Sequence, residues 1–131
     1  MNQRLTLLAL HLTGVVGPRR LKSVKTSFTQ LSDVFGASEE RLAEIEDWTL
    51  ASAKKVLSLT NPQERVEQEL EKAENKGVDV LVEGDETFPS VFDNIYDPPF
   101  VLWKAGTYLP GDEKAVAVIG CRRPSGTGKS L

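Results

Sequence analysis

The chain has 131 residues, of which 40% are hydrophobic and 27% charged, and its formal net charge is −3. This composition is typical of a globular protein of one domain or two small ones, and it excludes a surface coated throughout with basic residues. The single cysteine excludes an internal disulfide and fits a reducing compartment, and no apolar run approaches the roughly 18 residues of a membrane span. We therefore expect a cytoplasmic protein without a membrane partner.

The first half of the chain has the spacing of short helices. Leucines and an alanine recur at helical intervals in residues 3–13, which predicts a core helix rather than a signal peptide. Residues 14–17 break that helix, and Pro18 suits the first position of a second one. Trp48 is expected to fill the core rather than to offer a stacking platform.

Polar residues ahead of the later apolar runs predict where further helices begin. Three serine and threonine residues are expected N-caps: Ser27, Ser38 and Thr49. Asn61 followed by Pro62 predicts the capped start of a longer helix, and Gly77 predicts its end.

The junction between the first two helices carries a candidate phosphate contact. A glycine-containing turn, residues 14–17, is followed directly by Arg19 and Arg20, as in a helix-hairpin-helix whose turn amides and cations hold phosphate without reading sequence. The turn is one residue longer than usual in that motif. A plain helical turn with solvated arginines is the alternative, and the sequence leaves both open.

The pattern changes from helical to strand-like near residue 77. Three stretches are predicted strands, at residues 78–82, 100–104 and 115–119. The third is short and continuously apolar, which favours a strand buried on both faces of a parallel sheet. Prolines exclude regular pairing in residues 88–99. We expect a helical domain at 1–76 and the start of an α/β domain at 77–131.

A glycine-rich cationic loop follows the third predicted strand. It begins at Gly120 and holds Arg122, Arg123, Gly128 and Lys129. Such a loop at the carboxyl end of a strand is where open α/β sheets bind anions. Residues 128–130 match the end of a nucleotide-binding P-loop, but Arg123 stands where that motif needs its first glycine. The sequence thus favours a general phosphate cradle over nucleotide hydrolysis, with a flexible tail as the alternative.

Catalytic and metal sites are not expected. Cys121 is a poor candidate nucleophile because the only histidine, His11, belongs to the helical half. Asp85, Asp93 and Asp97 lie beside prolines and glycine, where carboxylates are more often turn caps than metal ligands.

Two stretches resemble the DNA processing protein A (DprA/Smf) family. The first runs from Phe88-Pro89 to Asp97-Pro98-Pro99 and Gly106, and the second from Val116 through Gly120-Cys121-Arg122-Arg123-Pro124 to Gly128. The stretch from Leu12 to Gly17-Pro18-Arg19-Arg20-Leu21 is similar to the start of the same family. The chain therefore looks like the N-terminal portion of such a protein.

This resemblance implies an α+β protein in which a SAM-like helical domain precedes the truncated start of a Rossmann-like domain. It implies a cytoplasmic, non-enzymatic protein without cofactors that binds single-stranded DNA and loads RecA onto it during natural transformation. It also implies self-association of the full-length protein. A piece of that protein is expected to bind DNA weakly and to leave apolar faces or sheet edges exposed.

The resemblance also implies the site residues. The family's glycine–serine–arginine loop corresponds to Gly120, Cys121 and Arg122, with Arg122 on the DNA phosphate, and Thr127 and Gly128 correspond to its tyrosine–glycine pair. The full DNA-binding set is Gly120, Cys121, Arg122, Arg123, Gly128 and Lys129, with secondary phosphate contacts at Arg19 and Arg20. Cys121 is a weaker donor than the family's hydroxyl, and Thr127 lacks the aromatic ring.

Two other functions stay open at this point. A Rossmann-type enzyme that binds a nucleotide or a phosphate could use the same glycine-rich loop. A helical module over residues 1–76 could instead dock a protein partner, with the sheet as scaffold.

Overall fold

A computed structural model of the chain describes residues 1–130. The α-helices are α1 (Gln3–Leu12), α2 (Pro18–Ser27), α3 (Glu39–Ala43), α4 (Leu50–Leu57), α5 (Pro62–Asn75) and α6 (Gly126–Ser130). The strands are β1 (Val78–Val82) and β2 (Val101–Ala105), and 3₁₀ turns lie at Leu31–Gly36, Ser90–Asn94 and Pro110–Lys114. The predicted α+β class is confirmed. No helix among residues 1–130 is long and apolar enough to cross a bilayer.

Most of the predicted helix boundaries are confirmed, since their signals are local. Pro18 is the first residue of α2. The hydroxyl of Ser38 accepts from the Arg41 N–H at 3.2 Å, and that of Thr49 accepts from the Ser52 N–H at 3.2 Å. These bonds satisfy N–H groups that the first helical turn leaves without partners.

One predicted cap is wrong, and a second is confirmed in its position but not in its hydrogen bond. Ser27 is the last residue of α2, and its hydroxyl donates to the Ser23 carbonyl, so the following 3₁₀ turn starts without it. Asn61 does precede α5, but its backbone is left-handed at φ 48° and its side chain makes no capping bond. The Asn61 amide instead donates to the Glu64 carboxylate at 3.4 Å.

The two strands form an antiparallel hairpin. Gly77 ends α5 at φ +65°, a conformation that glycine adopts without strain, and β1 follows at once. The register pairs Val78 with Ala105 and Val82 with Val101. The prediction for β1 is confirmed, and β2 is shifted by one residue from its predicted place.

The third predicted strand is wrong in the described structure. Residues 115–119 have no regular secondary structure, and Val118 is 97% exposed. A strand needs a neighbour to pair its backbone groups, and no other strand lies against this segment. The loop that follows ends in α6, a single helical turn that sequence reasoning did not expect.

The core centres on α1. Leu7, Leu8 and Leu10 are at most 1% exposed, and α1 contacts α5 and both strands. Val82 and Val101 of the hairpin belong to the same apolar cluster as the helices. Trp48 is 6% exposed and lies in this cluster, as predicted. The boundary near residue 77 and the SAM-like and Rossmann-like assignments stay predictions.

Candidate nucleic-acid interface

Arg20 lies next to the turn between α1 and α2, and its guanidinium already donates hydrogen bonds to two backbone carbonyls. Its Nη1 donates to the Val15 carbonyl at 2.7 Å, and its Nε donates to the Asp47 carbonyl at 2.8 Å. One bond fixes the turn, and the other ties α2 to the segment ahead of α4. Such a fork of two bonds suits a structural arginine.

Arg19 faces outward beside the proline-rich segment. Its side chain is 70% exposed, and its Nε lies 3.6 Å from an oxygen of Asp97. Asp97, Pro99 and the turn of residues 14–17 line a cavity of about 370 Å³. Two of the three stretches that resemble the family, the one around Arg19 and the one around Asp97, therefore lie against each other.

We expect Arg20→Ala to lower the free energy of unfolding by about 1.5–3 kcal/mol, since hydrogen bonds from a charged group contribute about that much. Arg19→Ala is the matched control, and its exposed ion pair should contribute less than about 1 kcal/mol. Urea denaturation measures both. An Arg20→Ala protein of unchanged stability but weaker binding to single-stranded DNA would instead make Arg20 a phosphate contact.

The predicted loop after residue 119 is open to solvent along its whole length. Gly120, Cys121, Arg122, Arg123 and Lys129 are all exposed. Among residues 1–130, none of these three cations has an ion pair or a side-chain hydrogen bond. Their charges are therefore available to an anion from solution.

The second half of the loop is fixed by local hydrogen bonds. The Ser125 hydroxyl accepts from the Gly128 N–H at 3.2 Å, and the Ser125 carbonyl accepts from the Lys129 N–H at 3.0 Å. A Cβ at position 128 would lie 3.2 Å from the Cβ of Pro124, so this turn favours glycine. No hydrogen bond or ion pair in the described chain joins this loop to Arg19 or Arg20. The predicted site residues therefore form two separate groups.

The last part of the chain, including this loop, matches a known family. Residues 79–131 match the model of the family described as DNA recombination-mediator protein A. The matched residues are similar to that family over this segment alone. The match contains β2, all but the first residue of β1 and the cationic loop, so the resemblance of the stretches at residues 88–106 and 116–128 is confirmed. The stretch from Leu12 to Leu21 lies outside the match. No curated protein and no solved structure gave a significant match to the chain.

The helical half of the chain packs against the segment that matches the DNA recombination-mediator family. Residues 1–78 lie outside the match, yet α1 contacts both strands of the hairpin. His11 of α1 packs edge-on against Phe100 at 5.7 Å between ring centres, and its Nε2 accepts from the Trp103 indole N–H at 3.4 Å. Burial lowers the pKa of His11, which favours the neutral ring that this bond requires. His11 is thus a packed residue.

Sequence reasoning missed a larger cavity between α2 and the segment that joins β1 to β2. Its volume is about 450 Å³, and Leu21, Phe88 and Phe92 contribute to its apolar lining. Lys25 of α2 forms an ion pair across it with Glu83. The sequence signal for this cavity is the opposite charge of α2 and of the segment that joins β1 to β2. Opposite charge alone does not predict that two segments lie in contact.

Proposed function

We propose that this chain is part of a DNA recombination mediator and that it holds single-stranded DNA by the phosphates, through the loop of residues 120–129. The observation that carries the proposal is the set of exposed, unpaired cations in that loop, within the segment that matches the mediator family. Arg122 and Arg123 are the principal contacts, because guanidinium groups bind phosphate oxygens in pairs.

The chemistry of the loop predicts the mode of binding. Phosphate contacts carry no sequence information, so binding should be strongly salt-dependent and nearly indifferent to base sequence. Cys121 adds little, since a thiol is a weak donor, and Thr127 offers no ring for stacking. Affinity therefore depends on the cations and on backbone N–H groups.

We take the wider role from the family that the chain resembles. In that role the protein acts in the cytoplasm without catalysis or cofactor, associates with itself, and loads RecA onto the single-stranded DNA that it holds during natural transformation. Loading RecA requires that the protein first binds the DNA, so the loop is the part to test.

We expect Arg122→Ala and Arg123→Ala each to weaken binding to single-stranded oligothymidylate and to reduce the slope of log affinity against log salt by about 0.7, the value for one lost phosphate contact. Fluorescence anisotropy over a salt series measures both quantities. Arg65→Ala is the control, because Arg65 lies 3.5 Å from Glu69 on the acidic helix α5.

Equal affinities and slopes in the loop variants and the wild type would contradict the proposal. The same proteins distinguish the other functions. Tight nucleotide binding that Lys129→Ala abolishes would indicate a nucleotide-binding enzyme, and retention of a protein partner by residues 1–77 alone would indicate a helical interaction module.

A further inference from the structure

The segment that joins β1 to β2 is strongly acidic. Residues 83–97, which we call the acidic connection, contain five carboxylates and no basic residue: Glu83, Asp85, Glu86, Asp93 and Asp97. Residues 1–32, in contrast, contain five lysine and arginine residues and no acid. Three of those cations form ion pairs with carboxylates of the acidic connection, so opposite charges meet where the two segments pack together.

One of these three ion pairs is a structural contact. Nε of Arg4 lies 3.2 Å from the Asp85 carboxylate, and Nη2 of Arg4 donates to the Val80 carbonyl at 2.9 Å. Asp85 also accepts from the Val82 N–H at 2.8 Å. Because each side chain of this pair has a further backbone partner, an anion from solution would have to break several bonds at once. Arg4 is therefore not available to a ligand.

The other two ion pairs are exposed and have no such support. Nε of Arg19 lies 3.6 Å from an oxygen of Asp97, and Lys25 pairs with Glu83. Both carboxylates are exposed, and within residues 1–130 none of these four side chains hydrogen-bonds to any other group. Exposed ion pairs of this kind are weak because water screens them. A stronger anion can therefore take the place of either carboxylate.

The two weakly paired cations share one face of α2 with an unpaired cation. Arg19, Lys22 and Lys25 follow each other at intervals of three residues, so they are neighbours along the helix surface. Lys22 is exposed, and no ion pair of the described residues includes it. Lys22 and Lys25 line the cavity of about 450 Å³ together with Glu83 and Asp97. This row of three cations, which we call the α2 cation face, has the chemistry of a surface for a chain of phosphates.

We propose that the α2 cation face is a second binding surface for the phosphates of single-stranded DNA, and that Glu83 and Asp97 occupy it in the free protein. DNA displaces the two carboxylates, because arginine binds phosphate through paired hydrogen bonds and contacts to several phosphates release counterions. The acidic connection is thus an internal competitor that lowers the affinity for DNA. This proposal rests on the DNA binding proposed above, but it uses cations outside the loop of residues 120–129.

Removing the charge of either carboxylate while keeping its shape tests the competition. Asp97→Asn and Glu83→Gln are each expected to raise the affinity for oligothymidylate about two- to fivefold, since each removes one exposed competing ion pair. Glu86→Gln is the matched control, because it makes the same charge change in the same segment at a residue that has no ion pair within residues 1–130. Fluorescence anisotropy at one fixed salt concentration measures the affinities. Far-ultraviolet circular dichroism should show all three variants folded, because these positions are exposed.

Double variants test whether the gain in affinity comes from the paired cations. Asp97→Asn should raise the affinity of the wild type but not of Arg19→Ala protein, and Glu83→Gln should have no effect in Lys25→Ala protein. Lys22→Ala should weaken binding with or without these changes and reduce the slope of log affinity against log salt by about 0.7, because its charge is free in the unbound protein.

Three results would overturn the proposal: gains no larger than that of Glu86→Gln, gains that persist without the paired cation, or no DNA binding by the Asp97→Asn and Glu83→Gln proteins. The loop variant Arg122→Ala separates this proposal from the one above. If Arg122→Ala weakens binding while the carboxylate variants match their control, the α2 cation face is overturned and the loop is retained. If Arg122→Ala binds as the wild type does while both carboxylate variants bind more tightly, the loop is overturned and the α2 cation face is supported.

Discussion

Leu8→Ala is expected to lower the free energy of unfolding by about 2–5 kcal/mol, the range for removing a large buried side chain and leaving a cavity. Leu8 is 1% exposed on α1, the helix that contacts α5 and both strands. Leu8 belongs to the apolar cluster that also contains Val82 and Val101 of the hairpin. Urea denaturation followed by far-ultraviolet circular dichroism measures the loss.

Because the hairpin shares its apolar cluster with the helices, we also expect Trp103 fluorescence, measured in a Trp48→Phe background, and circular dichroism to report one coincident transition. The control is Leu109→Ala, at a side chain that is 57% exposed, which should change stability by no more than about 0.5 kcal/mol. Similar losses in both variants, or a hairpin signal that persists after the helices unfold, would contradict this expectation. The second result would also favour a domain boundary near residue 77.

The parts of the fold that could be predicted from the sequence are those with local causes. Pro18 fits the start of a helix because its ring fixes φ, and Ser38 and Thr49 cap helices whose first N–H groups lie two or three residues away. Gly77 ends α5 because it adopts a positive φ at little cost. In each case the residue acts on backbone groups within one helical turn of its own position.

The errors arise where the propensity of a residue or segment does not decide its conformation. A β-branched run such as 115–119 has strand propensity, but it becomes a strand only where another strand offers partners. Asn61 has the chemistry of an N-cap, yet its backbone takes a left-handed conformation that places its amide on Glu64. Propensity alone does not fix either result.

The candidate site shows the same division. The basic residues can be read from the sequence, but the sequence does not show which of them hydrogen-bond or form ion pairs within the chain and which do not. Arg20 is held by a carbonyl 27 residues further along the chain, at Asp47, whereas the exposed Arg122 and Arg123 have no ion-pair partner in the described structure. The family match then falls on the loop with the unpaired cations. For a phosphate contact, availability of the charge matters more than its position in a motif.

Trp48→Ala is expected to be as damaging as any single substitution in the helical half, with a loss of about 3–5 kcal/mol in the free energy of unfolding. The indole is 6% exposed, and its N–H donates to the Arg20 carbonyl at 3.1 Å. The substitution removes both the packing and the bond that joins this segment to α2. Thermal or urea unfolding at neutral pH measures the loss.

Trp48→Phe separates these two contributions, since it keeps an aromatic ring and removes only the hydrogen bond and some volume. We expect it to cost about 1–3 kcal/mol, mostly for the carbonyl left without its donor. Trp48→Phe protein that remains folded should bind oligothymidylate as the wild type does, because a buried indole cannot reach a base. A drop in affinity of about 1–3 kcal/mol with little change in stability would mark a stacking residue and reverse the assignment of Trp48 to the core.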